Sequence, residues 1–394
     1  MTGLLDVPLT PAHLRGAVEV ERTPRGGLLP HRLPAWARTR LPDPQLLMVE
    51  AQPSGVRLAL RTAATVLELE TRATKRVYVG MPPRPDGVYE VAVGGEVVAS
   101  GSVGGGDVLT VDLGAGTMTP SDGGTGLVRF AGLPGGPGGT GGVRDLEVWL
   151  PHDEQTELVA LRADAPVEAA PPDGRRRWLH HGSSISHGSN AATPTGTWPA
   201  VAAALADVDL LNLGFGGSAL LDPSTARTMR DLPADVISVK LGINLVNLDL
   251  MRLRALGPAV HGFLDVLRDG HPTTPLLVVS SIYCGIHEET PGPSVPDVEA
   301  AREGRLRFVA AGDPAEVAQG RLTLEVVREQ LAAVVAQRSV DDPHLAYLDG
   351  TVLYGAADAE ALPLPDGLHP DAATHRLIGE RFAAAAFGVG GPLA

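Results

Sequence analysis

Four short blocks of the chain carry the residue types that an acyl-transfer reaction needs. They are Gly182-Ser183-Ser184-Ile185-Ser186-His187-Gly188, Asn212-Leu213-Gly214-Phe215-Gly216-Gly217-Ser218, Gly242-Ile243-Asn244 and Asp366-Gly367-Leu368-His369-Pro370. An alcohol is a poor nucleophile at neutral pH and needs a base within hydrogen-bond reach to take its proton. An imidazole titrates near working pH and can later return that proton to a leaving group. A carboxylate on the same loop can fix the imidazole tautomer. Backbone N–H groups beside glycines, together with a side-chain amide, can meet the negative charge that develops on a carbonyl oxygen. Serine, glycine, asparagine and an Asp/His pair are thus the parts of a serine acyl-transfer site.

Each block stands where a structural element ends or begins. The first follows the strand-like stretch from Arg177 and leads toward a helical pattern that includes Trp198 to Leu205; the second follows the apolar run Val208 to Leu211. The third ends the run Val236 to Leu241, and the fourth precedes a helical pattern from about Ala372 to Phe387. Strand runs at Trp178, Val208, Val236, Pro275 and Leu345 alternate with helical runs such as Arg252 to Arg268 and Leu322 to Arg338. In the last of these, Leu324, Val327, Leu331 and Val335 recur at helical spacing and would line one apolar face. That alternation predicts an α/β domain with a parallel sheet between helices, and the blocks fall at the carboxyl edge where such sheets place their ligands.

The first 172 residues read differently. Short β-like runs at Val56 to Leu60, Thr65 to Leu69, Val88 to Val93, Val108 to Val111, Leu127 to Phe130, Leu146 to Leu150 and Leu158 to Leu161 are separated by Gly, Pro and Asp turns. This predicts an antiparallel all-β sandwich at 1–172, with Asp164 to Arg177 as a linker into a second domain at 173–394. The runs Gly104-Gly105-Gly106 and Gly135-Gly136-Pro137-Gly138-Gly139 lack the rest of any phosphate-binding fingerprint and read as hairpin tips. The tract Gly285 to Gly312 is long for a connection and suggests a lid, an acyl-pocket wall or a solvated loop.

In this order and spacing the four blocks resemble the SGNH or GDSL-type esterases and acyltransferases, over residues 173–394. The resemblance implies a flavodoxin-like domain with a five-stranded parallel sheet. It puts the nucleophile at Ser184, the oxyanion glycine at Gly217, the asparagine at Asn244, the base at His369 and its orienting carboxylate at Asp366. The oxyanion donors would be the N–H groups of Ser184 and Gly217 and the Asn244 amide. Two positions depart from the family pattern: Ser183 stands in place of the usual Asp of Gly-Asp-Ser, and Leu245 in place of the Asp that commonly follows the asparagine. An amino-terminal sandwich before such a domain resembles a bacterial subfamily, and the run Gln45 to Thr71 looks like its sandwich. The wider group includes carbohydrate esterases and acyltransferases that decorate natural products, so the sandwich is expected to touch substrate or to cover an edge of the catalytic domain.

Other residues near the blocks carry simpler readings. Ser183 and Ser186 fit N-cap roles. His180, His181 and His187 lack metal-ligand spacing, and His180 and His181 read as strand-end residues supporting the site. No metal or cofactor is expected. Cys284 is the only cysteine, which rules out an intrachain disulfide and fits a small buried residue in a reducing cytoplasm.

A net charge of −14 with no basic stripe argues against nucleic acid or an anionic membrane surface as partner. Lys75 and Lys240 are the only lysines in a chain rich in Arg, Ala, Gly and Pro, a bias typical of high-GC bacterial genomes. The stretch from Met1 to Pro8 has neither a basic nor an apolar signal region, and no segment is apolar enough to span a bilayer, so a cytoplasmic location is expected. The expected partners are a small-molecule ester or thioester and an alcohol or sugar acceptor. The expected activity is ester hydrolysis through an acyl-Ser184, with acyl transfer to a hydroxyl as the alternative. A non-catalytic glycan-binding protein is the rival of another class.

Overall fold

A computed structural model of the chain describes residues 3–81, 83–112, 115–135 and 142–394. They divide into two compact units. The first takes in residues up to Pro34, Leu47–Gly174 and Ala192–Thr195; the second takes in Ala35–Leu46, Arg175–Ala191 and Gly196–Ala394.

The first unit is a two-sheet sandwich. One sheet is built around Val66–Tyr78, which pairs with Gln155–Ala163 and Gly126–Ala131; the other is built around Arg57–Thr62 and Arg144–Trp149, with Val88–Val93 beyond. Along Val66–Tyr78, Leu67, Leu69, Thr71 and Ala73 are buried while their neighbours are not, the period-2 signature of a strand with one face on a core. Leu58, Leu60, Val91 and Val148 of one sheet and Leu67, Leu69, Val128, Phe130 and Leu158 of the other form that core, each worth about 1.5–3 kcal/mol on burial.

Three expectations need correction here. The pairing is not antiparallel throughout, because Thr74–Tyr78 runs parallel to Asp107–Val111. Gly104-Gly105-Gly106 is not a hairpin tip: it carries the chain from Glu96–Ser102 in one sheet to Asp107–Asp112 in the other. Part of the proposed linker is sheet, since Val167–Ala169 pairs with Leu60–Thr62. Of the second glycine run, Gly136 to Gly139 lie outside the described residues.

The second unit is a five-stranded, all-parallel sheet of β1 (Arg176–Gly182), β2 (Val208–Gly214), β3 (Val236–Lys240), β4 (Leu276–Val279) and β5 (Leu345–Leu348), in the order β2-β1-β3-β4-β5. Every residue of β3 and β4 is buried, as expected of strands covered on both faces. Its main helices are α1 (Trp198–Ala206), α2 (Pro223–Asp231), α3 (Leu253–Gly270), α4 (Leu324–Arg338) and α5 (Ala372–Phe382), which continues as a π-helical turn at Ala383–Phe387. Successive residues of β1 face opposite layers. Trp178 stacks on Phe382 of α5 at 5.2 Å, and His181 on Phe263 of α3 at 5.9 Å. The strand order is that of flavodoxin-like folds, whose ligands bind at the switch point between β1 and β3. Among the described residues no helix is long and apolar enough to cross a membrane.

Candidate active site

Ser184 is the first residue of a four-residue helix, Ser184–His187, that starts directly after β1. The chain can turn this sharply because position 182 is glycine: a Cβ there would lie 2.4 Å from Ser186 Oγ. Ser183 is the N-cap, its hydroxyl accepting from the Ile185 N–H. A hydroxyl thus caps the helix at the position where the Gly-Asp-Ser pattern has a carboxylate. Ser186 is not a cap. Its Oγ lies 2.8 Å from His180 Nε2, and His180 Nδ1 lies 2.7 Å from Ser238 Oγ, which also accepts from Trp178 Nε1–H at 2.8 Å. This chain braces the nucleophile turn from beneath, and burial holds His180 well below the usual histidine range, hence neutral.

The fourth block closes on Ser184 from the entry to α5. His369 Nε2 is 3.0 Å from Ser184 Oγ, and His369 Nδ1 is 2.8 Å from Asp366 Oδ2. The other carboxylate oxygen accepts the backbone N–H groups of Leu368 at 2.9 Å and His369 at 2.7 Å. Burial alone would raise the Asp366 pKa, but these hydrogen bonds outweigh it and hold the carboxyl below the ordinary aspartate value. An ionised carboxylate only accepts, so Nδ1 carries the proton and Nε2 is left to accept from the serine hydroxyl.

Three hydrogen-bond donors come from adjacent strand ends. Neither the Ser184 nor the Gly217 N–H has an acceptor among the described residues. Gly217 follows β2 in a turn closed by Ser218 N–H to Phe215 O at 3.0 Å, with φ of +71°. Asn244 follows β3 in the helix Ile243–Asn247. Its Oδ1 accepts the Ala219 N–H at 3.1 Å, which leaves the Nδ2 end to donate. Asn244, Asp366 and Ser184 are all buried, with exposures of 2, 6 and 8 %. All five sequence-predicted residues thus lie along the edge formed by β2, β1 and β3 and the loop before α5.

Residues 176–288 match the model of the GDSL-like lipase/acylhydrolase family. A salicylyl-acyltransferase, SsfX3 from a tetracycline biosynthetic pathway, is 29 % identical, with a TM-score of 0.75 over 96 % of this chain and 95 % of that one. Over the segment that carries Ser184, Gly217 and Asn244, this chain is thus similar to the GDSL, or SGNH, family. A protein described as a GDSL-like lipase from Bacteroides ovatus shares the fold at 16 % identity, TM-score 0.64, over 98 % of both chains. So does a family two carbohydrate esterase from Clostridium thermocellum, at 12 % identity and TM-score 0.57 over 98 % of this chain and 97 % of that one. Comparison with curated proteins returns no match. The chain is a GDSL-type enzyme of acyl-ester hydrolysis or acyl transfer.

Several residues that support this GDSL-type site carry no sequence signal. Asn190 Nδ2 donates to Asp366 Oδ2 at 3.4 Å, from a backbone with φ of +65°. The tract after β4 is not loop throughout, although residues 301–307 are exposed. It forms a hairpin, Ser294–Pro296 with Phe308–Ala310, in which the Phe308 N–H donates to Asp366 O at 2.8 Å. The Phe308 ring meets His369 edge-on, with ring centroids 5.9 Å apart. The segment before the hairpin is pinned by a buried pair in which one Arg328 nitrogen, Nη2, reaches both Glu288 oxygens at 2.7 Å, while Glu288 Oε1 accepts the Cys284 N–H at 2.7 Å. Gln45, expected in the sandwich, opens a short helix, Pro44–Glu50, and its Nε2 donates to Gly216 O at 2.8 Å.

Proposed function

We propose that the chain is a serine acyl-ester hydrolase that works through an acyl-Ser184 intermediate. The observation that carries this reading is the continuous hydrogen-bond line Ser184 Oγ, His369 Nε2, His369 Nδ1, Asp366 Oδ2, with spacings of 3.0 and 2.8 Å. Ser184 Oγ attacks the carbonyl carbon of an ester or thioester as its proton passes to His369 Nε2. Asp366 stabilises the imidazolium that results. The carbonyl oxygen, now an oxyanion, is met by the N–H groups of Ser184 and Gly217 and by Asn244 Nδ2–H. His369 then gives its proton to the leaving alcohol or thiol as the carbon–oxygen or carbon–sulfur bond breaks. Deacylation repeats the sequence, with water as the nucleophile and His369 again taking and returning the proton.

Acyl transfer to the hydroxyl of a small-molecule or sugar acceptor is the second reading. The likeness to a salicylyl-acyltransferase, at 29 % identity along nearly the whole of both chains, supports it. The chemical steps are the same up to the acyl-enzyme, and the outcome depends on whether an alcohol outcompetes water. The sandwich is proposed as an accessory domain that contributes to recognition of substrate or acceptor. A non-catalytic glycan-binding role has no comparable support, because the serine and its base stand within hydrogen-bond reach.

The test is peptide mapping by mass spectrometry after treatment with a fluorophosphonate probe, in wild type and in His369→Ala. Labelling of Ser184 that depends on His369 is expected; no labelling of folded wild type overturns the acyl-serine reading. Incubation with an activated ester and graded alcohol acceptors separates the two activities. A new ester whose yield rises with acceptor supports transfer, and free acid at every acceptor concentration supports hydrolysis.

A further inference from the structure

The glycine turn that carries one oxyanion donor is made of Phe215, Gly216, Gly217 and Ser218, closed by the Ser218-to-Phe215 hydrogen bond at 3.0 Å. Gly217 has φ of +71° and Gly216 is not among the positive-φ residues, which makes this a type II turn. The central peptide of such a turn, here Gly216 C=O with Gly217 N–H, is the part that inverts when type II converts to type I. A side chain at the second central position would bias that choice, but both central residues are glycine and impose no barrier of their own. The end hydrogen bonds do not impose one either. Ser218 N–H to Phe215 O is made in both turn types, and Asn244 holds the next residue, Ala219, by its N–H.

The group that does discriminate is Gln45. Its Nε2 donates to the Gly216 carbonyl at 2.8 Å, and it lies 3.3 Å from where a Cβ on Gly217 would stand. A trans peptide is planar, so its C=O and N–H point in opposite directions. Holding the Gly216 oxygen on one side therefore aims the Gly217 N–H to the other, where it has no protein acceptor. We propose that Gln45 is a positioning residue, a latch that keeps the Gly216–Gly217 peptide in the orientation that offers its N–H to the oxyanion. The proposal rests on the acyl-serine reading and adds to it a residue some 140 positions upstream of the nucleophile, outside all four motif blocks.

The test compares full-length Gln45→Met, which keeps the length of the side chain without a donor, with Gln45→Arg, which restores donors. Both are good helix formers at an exposed position, so folding is not at stake. In Gln45→Met, kcat is expected to fall about ten- to hundredfold, less than loss of the donor itself, with KM changed by less than about threefold. A boronic acid that forms a tetrahedral adduct with the serine should lose affinity by a similar factor, and Gln45→Arg should recover part of both. A kcat in Gln45→Met within twofold of wild type overturns the latch, as does a rise in KM at unchanged kcat or an equal loss in both variants. Ser184→Ala is run beside them. If it is inactive while Gln45→Met is fully active, only the latch fails; if Ser184→Ala turns over, the acyl-serine reading fails with it.

Discussion

Asp366 grips His369 at two points, accepting its ring Nδ1–H at 2.8 Å through one oxygen and its backbone N–H at 2.7 Å through the other. The carboxylate thus sets both the place of the imidazole and its tautomer. Asp366→Asn keeps the shape but no longer demands a proton on Nδ1, and kcat is expected to drop about 10³-fold or more, measured under saturating substrate. The carboxyl also ties the loop to pH. Its folded pKa lies below the ordinary value, so its stabilising effect is present above the unfolded pKa and is lost as pH falls through the folded one. Acid denaturation of Asp366→Asn should lack that contribution; identical acid limbs in variant and wild type would count against it.

Asn244 is held by Ala219 at its oxygen end, so its amide is oriented before any substrate arrives. An oxyanion exists only late in the reaction, and a donor aimed at it acts on the transition state and not on the bound ester. Asn244→Ala is expected to lower kcat about 10²-fold, with a change in KM of less than about threefold. Steady-state kinetics decide this, and equal effects on kcat and KM would point to ground-state binding instead.

What was legible in the sequence follows from what patterns encode. Strands β3 and β4 announced themselves as apolar runs because a doubly covered parallel strand is apolar on both faces, whereas β1, with two arginines and two histidines, was legible from its place before the glycine-serine turn. The five candidate residues Ser184, Gly217, Asn244, Asp366 and His369 were legible as a group because each stands close to a strand end or helix start. The sandwich strands at Leu5–Val7, Glu19–Arg22 and Leu28–His31 were not, because they are short and the last is buried throughout despite a proline and a histidine. Phe308, Asn190 and Gln45 were invisible for another reason. Each touches the site through backbone or side-chain contacts to a partner far away in sequence, and such contacts leave no periodicity.

Cys284 sits beneath the loop that carries Asp366 and His369, its Sγ 3.4 Å from Gly367 O. Burial, with the nearby Glu288 charge, pushes its thiol up to about 12. A thiol in that state has almost no thiolate at neutral pH and reacts slowly. Native protein at pH 8 is expected to resist iodoacetamide at Cys284 and to retain activity, whereas modification in denaturant should be complete. Rapid alkylation of the native state, followed by intact mass, would show that this loop opens readily.

Lys240, at the end of β3, is buried, and its ammonium has no hydrogen bond or ion pair among the described residues. Burial, reinforced by the charge of Arg328, lowers its ammonium from the ordinary 10.5 to about 7. Between those two values the unfolded chain keeps the proton and the folded chain does not, so stability rises with pH across that window, by up to about 1.4 kcal/mol per unit from this group. Below it the fold carries the full cost of a charged, unpaired lysine. Lys240→Met keeps the apolar stem against Gly182 and removes that cost, and is expected to stabilise the chain on the order of 2 kcal/mol at pH 7. The gain should shrink steadily as the pH is raised toward 10. Urea midpoints for both proteins at pH 7, 8.5 and 10 measure it, and a gain that stays constant with pH would mean that lost packing or an unseen partner, and not the buried charge, governs this position.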